Sequence, residues 1–497
     1  MLSQAIKFDD FEFRAEVLRF PRWPGLRLGA REVYYADIER LEELSVNGRP
    51  GAGLTLILKD GGRIRLRLAS DAEAAAFRAA LGEILEPAVL KDERPRSLDD
   101  LEATARDLAA SKGANYRKAL DFLIAQALAH QASDLNLEPG PDRWRVWFKI
   151  DGTMFPAASF SRADGDRLIN CLKVAAGLTL HRRDLIQEGR ISRSDGREVN
   201  DARVSILPSA QGERVGLRLF DRLKGASDLA DLGFDRETLA VLERLASSPQ
   251  GLFLVSGPAG SGKTTTLYAL LRRLQASRGR LANIISLEDP IEYRLAGVIQ
   301  VQVNLEGGPD LARALKSSLR QDPAVIMVGE IRDPETAETA VQAALTGHLV
   351  LSAVHCGSAA ETVARLLDLG VRPALLASVL LGASGQRLIR RVCPACRPDA
   401  AVANENAPGL GRDSPGELKG RGPGCSGCRG TGYRGRQVMA EVMINKGRVI
   451  DLIAAAADTR AINQAARAEG LTPLLEQGLK LADAGLTDLE EIRRVVG

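Results

Sequence analysis

The sequence predicts an α/β protein, a parallel sheet with helices on both faces, carrying smaller modules before and after it. Three observations predict it. A glycine-rich loop lies between an apolar run and a helix-like segment at residues 252–274, further apolar runs end in carboxylates at Glu288 and Glu330, and four cysteines form two CxxC pairs. An apolar run followed by a glycine loop and a helix is the local order of a phosphate-binding βα unit.

The loop is Gly257-Pro258-Ala259-Gly260-Ser261-Gly262-Lys263-Thr264, followed by Thr265. It fits GxxxxGKT, so its backbone N–H groups are expected to curl around phosphate oxygens, helped by the helix N-terminus. Lys263 should reach the β/γ-phosphates and Thr264 should offer its hydroxyl to Mg²⁺, which makes ATP and Mg²⁺ the expected ligands. Two carboxylate segments should lie beside it, because ligands in open α/β sheets sit at the carboxyl ends of strands. Ile284 to Glu288 ends in Glu288-Asp289, and Ala324 to Val328 is followed by Gly329-Glu330. Glu330 is the candidate general base that orients water; Glu288 would hold Mg²⁺ through water or share the base role. The segment Gly347 to His355 places His348 before a strand and His355 after it, both as phosphate-sensing candidates. Arg320, beside the Glu330 strand, is a further candidate.

The phosphate loop, EDPIEY, RQDPAVIMVGEIRD and TGHLVLSAVH, in that order, resemble the secretion ATPases that power type II secretion and type IV pilus assembly. The resemblance covers about residues 114–497 and implies a RecA-like P-loop core working in a homo-hexameric ring. In that family the carboxylate segments are the aspartate box and an atypical Walker B, and the last segment is the histidine box. The resemblance also implies a preceding PAS-like α+β domain that docks on a neighbouring subunit's nucleotide. Arg190, Arg203 and Arg218 fall where the family supplies arginines to ATP. This chain departs from the family's usual pattern at Asn136, at Arg182 to Arg190, and at Cys356-Gly357 after the second histidine.

Read from the residues, that α+β domain has an amphipathic helix at 116–131 and a half-buried strand in which Trp144, Val146, Phe148 and Ile150 alternate with Arg145, Trp147 and Lys149. A hairpin follows, Glu198 to Ile206 and Glu213 to Phe220. Pro373 to Gly385 reads as a buried helix. Cys393, Cys396, Cys425 and Cys428 have the spacing of a tetrahedral Zn²⁺ site; within the family, four such cysteines favour assembly and secretion motors over retraction motors. Cys171 and Cys356 read as inert core thiols. Arg387, Arg390, Arg391 and Arg397 form a basic cluster read as a solvated face of the cysteine lobe. Thr487 to Glu490 reads as a capping box before the last helix.

Residues 1–90 fall outside the resemblance to the secretion ATPases. Short strand signals at 11–19, 27–35, 38–46, 53–59 and 62–68, with a helix at Asp71 to Leu85, resemble a pleckstrin-homology-like barrel. A partner-docking role is expected, with a passive scaffold or lipid-binding module as the alternative. The domain expectation is thus 1–90, a linker at 91–113, the α+β domain at 114–222, the ATPase core at 229–388, a zinc lobe at 389–436 and a helical lobe at 437–497.

The net charge of +3 is too small to imply a nucleic-acid binder. Charged residues from Lys7 to Glu16 argue against a signal peptide, and no apolar run reaches the length of a membrane span. A cytoplasmic protein is expected, peripheral to the inner membrane through partners, namely a membrane platform and cytoplasmic adaptors. Its expected work is assembly of a pilus or pseudopilus, against a pilus-retraction or DNA-transfer motor, or a non-hydrolysing nucleotide-binding scaffold.

Overall fold

A computed structural model of the chain describes residues 12–13, 17–19, 32–34, 38–46, 49–58, 63–67, 97–110, 116–194, 199–219, 228–278, 283–303, 308–398, 402–403, 417–418 and 420–496. The chain divides into two compact units, Met1–Asp221 and Arg222–Gly497.

The first unit opens with two three-stranded antiparallel sheets. One contains β1 (Glu12–Phe13), β2 (Val17–Arg19) and β3 (Glu32–Tyr34); the other contains β4 (Ile38–Val46), β5 (Arg49–Leu58) and β6 (Arg63–Arg67). The single strand expected at 11–19 is two strands, β1 and β2, paired antiparallel with each other, whereas β3 to β6 overlap the other expected segments. The helix expected at 71–85 lies outside the described residues.

Helix α1 (Leu98–Ala110) follows, where a linker is expected. Leu101, Ala105 and Ala109 recur every four residues and are buried in the core of the α+β module, a stripe that packs one helix face. Helix α2 (Tyr116–Ala129) leads into β7 (Asp134–Pro139), β8 (Arg143–Ile150) and β9 (Thr153–Ser161). Helix α3 (Arg162–Ala175) precedes β10 (Gln187–Ser194), β11 (Val199–Ser209) and β12 (Gly212–Leu219). All six strands pair antiparallel, in the order β10-β11-β12-β7-β8-β9. Trp144, Val146, Phe148 and Ile150 are buried as their alternation predicts. Trp144 is pressed so closely by α3 that a Cβ on Gly165 would meet its ring at 2.0 Å, and its Nε1 donates to Asp166 Oδ1 at 3.0 Å.

The second unit is a seven-stranded sheet between helices. Helix α4 (Arg236–Ala246) precedes β13 (Gly251–Ser256), and α5 (Lys263–Arg278) follows the glycine loop. Then come β14 (Ile284–Glu288), β15 (Ile299–Gln302), α6 (Leu311–Ser318), β16 (Val325–Val328), α7 (Pro334–Leu345), β17 (Leu349–Val354), α8 (Ala359–Asp368) and α9 (Pro373–Val379). The strand order is β15-β14-β16-β17-β13-β18-β21, where β18 is Leu380–Val392 and β21 is Tyr433–Ile444. Strands β13 to β18 run parallel and β21 runs antiparallel to β18. β13, β14, β16 and β17 are buried along their whole length, as strands covered on both faces are.

The helix expected from Pro373 to Gly385 ends at Val379. Leu380 begins β18, where a Cβ on Gly382 would sit 2.4 Å from Met443 O and one on Gly385 2.9 Å from Ala359 N. Those glycines admit close strand and helix neighbours, so tertiary pairing decides the segment. β19 (Val402–Ala403) and β20 (Glu417–Leu418) form a small ladder between the cysteine pairs. Helices α10 (Gly447–Ala454), α11 (Thr459–Ala468), α12 (Leu474–Asp483) and α13 (Leu489–Val496) complete the chain. The cap of α13 is Asp488 rather than Thr487: Asp488 Oδ1 accepts from Glu491 N at 2.9 Å, whereas Thr487 Oγ1 donates to Arg390 O at 3.0 Å.

Candidate active site

Strand β13 carries the phosphate loop out of the sheet at its carboxyl end, where parallel α/β sheets place ligands. Gly257 is buried against Ser261 and β18: a Cβ there would lie 2.4 Å from Ser261 Oγ and 2.5 Å from Gln386 O. Gly262 has φ +89°, so a left-handed residue turns the loop into α5. Pro258, Ala259 and Gly260 are exposed, and Thr264 and Thr265 are half-buried in the first turn of α5. Ser261 Oγ is buried without a hydrogen-bond partner, so the loop holds an unmet polar group of the kind a phosphate oxygen satisfies.

Lys263 bends over the loop, and Nζ donates to Gly257 O at 2.8 Å and Pro258 O at 3.0 Å. Nζ also lies 3.4 Å from His355 Nδ1. His355 follows β17, and its Nε2 lies 2.7 Å from Glu330 Oε2. An ammonium can only donate, so Nδ1 accepts and the imidazole proton sits on Nε2, pointing at Glu330. Glu330 leaves the end of β16 with Arg332 paired to its other oxygen. Burial lowers the Lys263 pKa, and the Glu330 charge opposes that shift. The residues at the ends of β13, β16 and β17 thus form one chain of contacts, Lys263 to His355 to Glu330.

Two expected members stand elsewhere. Glu288, expected to face the phosphates, is 3 % exposed and turned into the packing of α5. Its oxygens are taken by the Tyr268 hydroxyl, by Ser286 Oγ at 2.5 Å and by Gln300 Nε2 at 3.1 Å. The carboxylate half-open beside the phosphate loop is Glu330, not Glu288. His348 lies at the amino end of β17, where its carbonyl accepts from Gly251 N at 3.0 Å at the start of β13. Six residues of strand, roughly 20 Å, separate it from His355. His348 Nδ1 instead meets Ala343 O at 2.9 Å and Thr346 Oγ1 at 3.2 Å, closing the end of α7. His348 therefore stands at the opposite end of β17 from the phosphate loop of its own subunit. Arg320 also lies on the amino side of the sheet, before β16, with Nη1 donating to Lys316 O at 3.4 Å.

In the first unit, Arg190, Arg203 and Arg218 stand directly opposite one another across β10, β11 and β12. All three are exposed. Arg203 pairs with Glu188 at 2.5 Å and Arg218 with Asp134 at 3.3 Å. Their alignment, invisible from sequence spacing alone, comes from the register of the antiparallel strands.

The four cysteine sulfurs all lie within 4.8 Å of one another. Cys393 and Cys425 are 3.9 Å apart, Cys396 and Cys428 3.8 Å, and Cys425 and Cys428 3.7 Å. Metal–sulfur bonds of about 2.3 Å put the corners of a tetrahedron about 3.8 Å apart, so the set fits a tetrahedral metal and is too wide for disulfides. Burial acts to raise the Cys428 pKa, but N–H groups of Cys425 and Gly432 outweigh it and bring the thiol down to about 6.

Sequence patterning missed two residues of the site. Gln386 is fully buried against the phosphate loop. Arg387, read as part of a solvated basic face, lines a cleft with Pro258, His355, Cys356 and Glu361. The rest of that basic cluster is divided: Arg390 pairs with Glu491 and stacks over Tyr433 with 4.1 Å from guanidinium carbon to ring centroid, and Arg397 Nη1 donates to Gly485 O at 3.3 Å. Cys171 and Cys356 are half-buried.

The family model described as Type II/IV secretion system protein matches residues 109–494. A Type II secretion system protein E of Pseudomonas aeruginosa is 41 % identical over 427 residues, covering 85 % of this chain and 82 % of that one. A Type IV pilus assembly ATPase PilB of Myxococcus xanthus is 38 % identical over 417 residues, covering 83 % of this chain and 72 % of the relative. Among solved structures, the pilus retraction motor PilT with bound ADP is 26 % identical with a TM-score of 0.52, covering 75 % of this chain and 95 % of that one. The Legionella pneumophila ATPase DotB shares the fold at 19 % identity, with a TM-score of 0.57 over 76 % of this chain and 94 % of its own.

Proposed function

The chain belongs to the Type II/IV secretion system protein family, and on that premise we propose that it is a hexameric, Mg²⁺-dependent ATPase whose turnover drives assembly of a pilus or secretion pseudopilus. The single observation that carries the catalytic part is the contact chain from Lys263 through His355 to Glu330 at the mouth of the phosphate loop. Glu330 takes the proton of the attacking water, His355 orients the carboxylate and reports on the phosphate side, and Lys263 and Thr264 hold the phosphates and Mg²⁺. The row of Arg190, Arg203 and Arg218 is suited to supply phosphate-neutralising charge from a neighbouring subunit, since forked guanidinium groups match spread phosphate charge. The cysteine lobe holds Zn²⁺ through Cys393, Cys396, Cys425 and Cys428.

Secretion and pilus-assembly relatives at about 40 % identity support an assembly motor. No helix among the described residues is long and apolar enough to cross a membrane. By the kinship with secretion and pilus-assembly ATPases, work at the inner membrane runs through a membrane platform and cytoplasmic adaptors, with residues 1–90 as the docking module. The test is phosphate release by the full-length chain with Mg²⁺ and ATP, alongside Glu330→Gln. Wild-type turnover that the variant loses supports the motor; equal, slow release by both contradicts it.

A further inference from the structure

Strand β18 lies beside β13 in parallel register, with Ser256 opposite Gly385. Gln386 and Arg387 therefore come level with the start of the phosphate loop. Neighbouring residues on a strand point to opposite faces, and these two grip opposite walls of the site. Gln386 Nε2 donates to Ser261 O at 2.8 Å, and its Oε1 accepts from Thr266 Oγ1 at 3.1 Å. The side chain is 0 % exposed, so both bonds are made out of water, where losing either strands a buried polar group.

Arg387 faces the other way. Its Nη2 donates to Gly357 O at 2.8 Å and its Nη1 to Gln386 O at 3.1 Å. Gly357 N is held in turn by Glu361 Oε2 at 2.7 Å. The turn that carries His355 is thus fixed from both sides, by Arg387 on β18 and by Glu361 on α8. The guanidinium lines a cleft of about 470 Å³ together with Pro258 and His355, and it makes no ion pair among the described residues. Burial lowers its pKa, opposed by the charges of Glu441 and Glu361. A half-buried cation lacking a salt bridge is an arrangement kept where it has a task.

We propose that Gln386 and Arg387 are positioning residues for hydrolysis: Gln386 sets the phosphate loop for nucleotide binding, and Arg387 sets the His355 turn, and with it the Glu330 contact, for the chemical step. The assignment rests on the ATPase reading, and each half has a readout that does not need turnover. Because β18 continues from Arg387 to Val392, next to Cys393, the same strand ties both residues to the cysteine lobe.

The experiment uses the full-length chain and its Gln386→Ala, Arg387→Ala and Arg387→Lys variants. Binding of a fluorescent ADP analogue with Mg²⁺, ATP turnover, and hydrogen exchange of residues 355–359 are measured on each. Gln386→Ala is expected to weaken ADP-analogue binding about tenfold. Arg387→Ala is expected to bind within about twofold of wild type, to lower kcat about tenfold, and to speed exchange in the His355 turn. Arg387→Lys, which keeps a donor for Gly357 O, is expected to recover part of both losses. Wild-type binding by Gln386→Ala, or wild-type kcat and exchange in Arg387→Ala, overturns the corresponding half. So does an Arg387→Ala defect that Arg387→Lys leaves unchanged. If wild type binds the analogue but does not turn over ATP, the ATPase reading fails, while binding and exchange still decide on the two residues.

Discussion

His355 Nε2 lies 2.7 Å from Glu330 Oε2, joining the end of β17 to the end of β16 across the mouth of the phosphate loop. The bond holds one carboxylate oxygen with an imidazole N–H, and Arg332 pairs with the other. Glu330→Gln keeps the shape and removes the base, so kcat should fall by about 10²- to 10⁴-fold with little change in nucleotide affinity. Phosphate-release kinetics alongside ADP-analogue binding check both halves; an unchanged kcat would remove Glu330 from the chemistry.

The two histidines should separate cleanly. His355→Ala breaks the link between Lys263 and Glu330 and is expected to lower kcat about tenfold or more. His348→Ala loses only the contacts that close α7, so it should cost about 1 kcal/mol of stability and leave kcat near wild type. Thermal melts and turnover measured on the same preparations distinguish the two.

The cysteine tetrahedron predicts one bound Zn²⁺ per chain, measurable by elemental analysis. Chelation or Cys393→Ser should unfold the lobe, since structural zinc is worth about 10 to 16 kcal/mol in small knuckles. Hydrogen exchange at residues 420–432 should rise first. A metal-free chain with a protected lobe would contradict the assignment.

Glu491 predicts how acid affects the C-terminal lobe. Burial acts to raise its pKa, but hydrogen bonds from Arg494 and Arg390 outweigh this and hold it below the ordinary value of 4.5. A carboxylate depressed on folding contributes stability that is complete above its unfolded pKa and is lost as pH falls through the folded one. Docking of α13 on β18 should therefore be insensitive to pH near neutrality and weaken below about pH 4.5. Glu491→Ala leaves Arg390, 17 % exposed, without its partner, costing about 3 to 5 kcal/mol at neutral pH. Hydrogen exchange of residues 486–496 against pH reads both effects.

The phosphate loop and the cysteine lobe were legible in the sequence because their geometry permits few residue types: Gly257 has no room for a Cβ, and four thiolates at CxxC spacing have few other uses. Glu330 was legible as an acid closing an apolar strand. The distance of His348 from the phosphate loop follows from strand direction, since a residue before a parallel strand stands at the end away from that loop. The burial of Glu288 was not legible, because Tyr268, Ser286 and Gln300, which occupy its oxygens, lie on three different elements. Leu380 to Val392 has no strand alternation, and its pairing with β13 and β21 makes it a strand; Gln386 and Arg387 were hidden for that reason. Helix α1 was obscured by the charged stretch before it, although Leu101, Ala105 and Ala109 carry its period.

We propose that Glu330 of one subunit works with the Arg190, Arg203 and Arg218 row of another. The most direct measurement mixes two inactive full-length variants, Glu330→Gln and the double variant Arg203→Ala with Arg218→Ala, and follows phosphate release across mixing ratios. Activity well above the sum of the separate variants is expected, because mixed assemblies contain sites with both an intact Glu330 and intact arginines. Activity that equals that sum at every ratio, in preparations shown to exchange subunits, would contradict it.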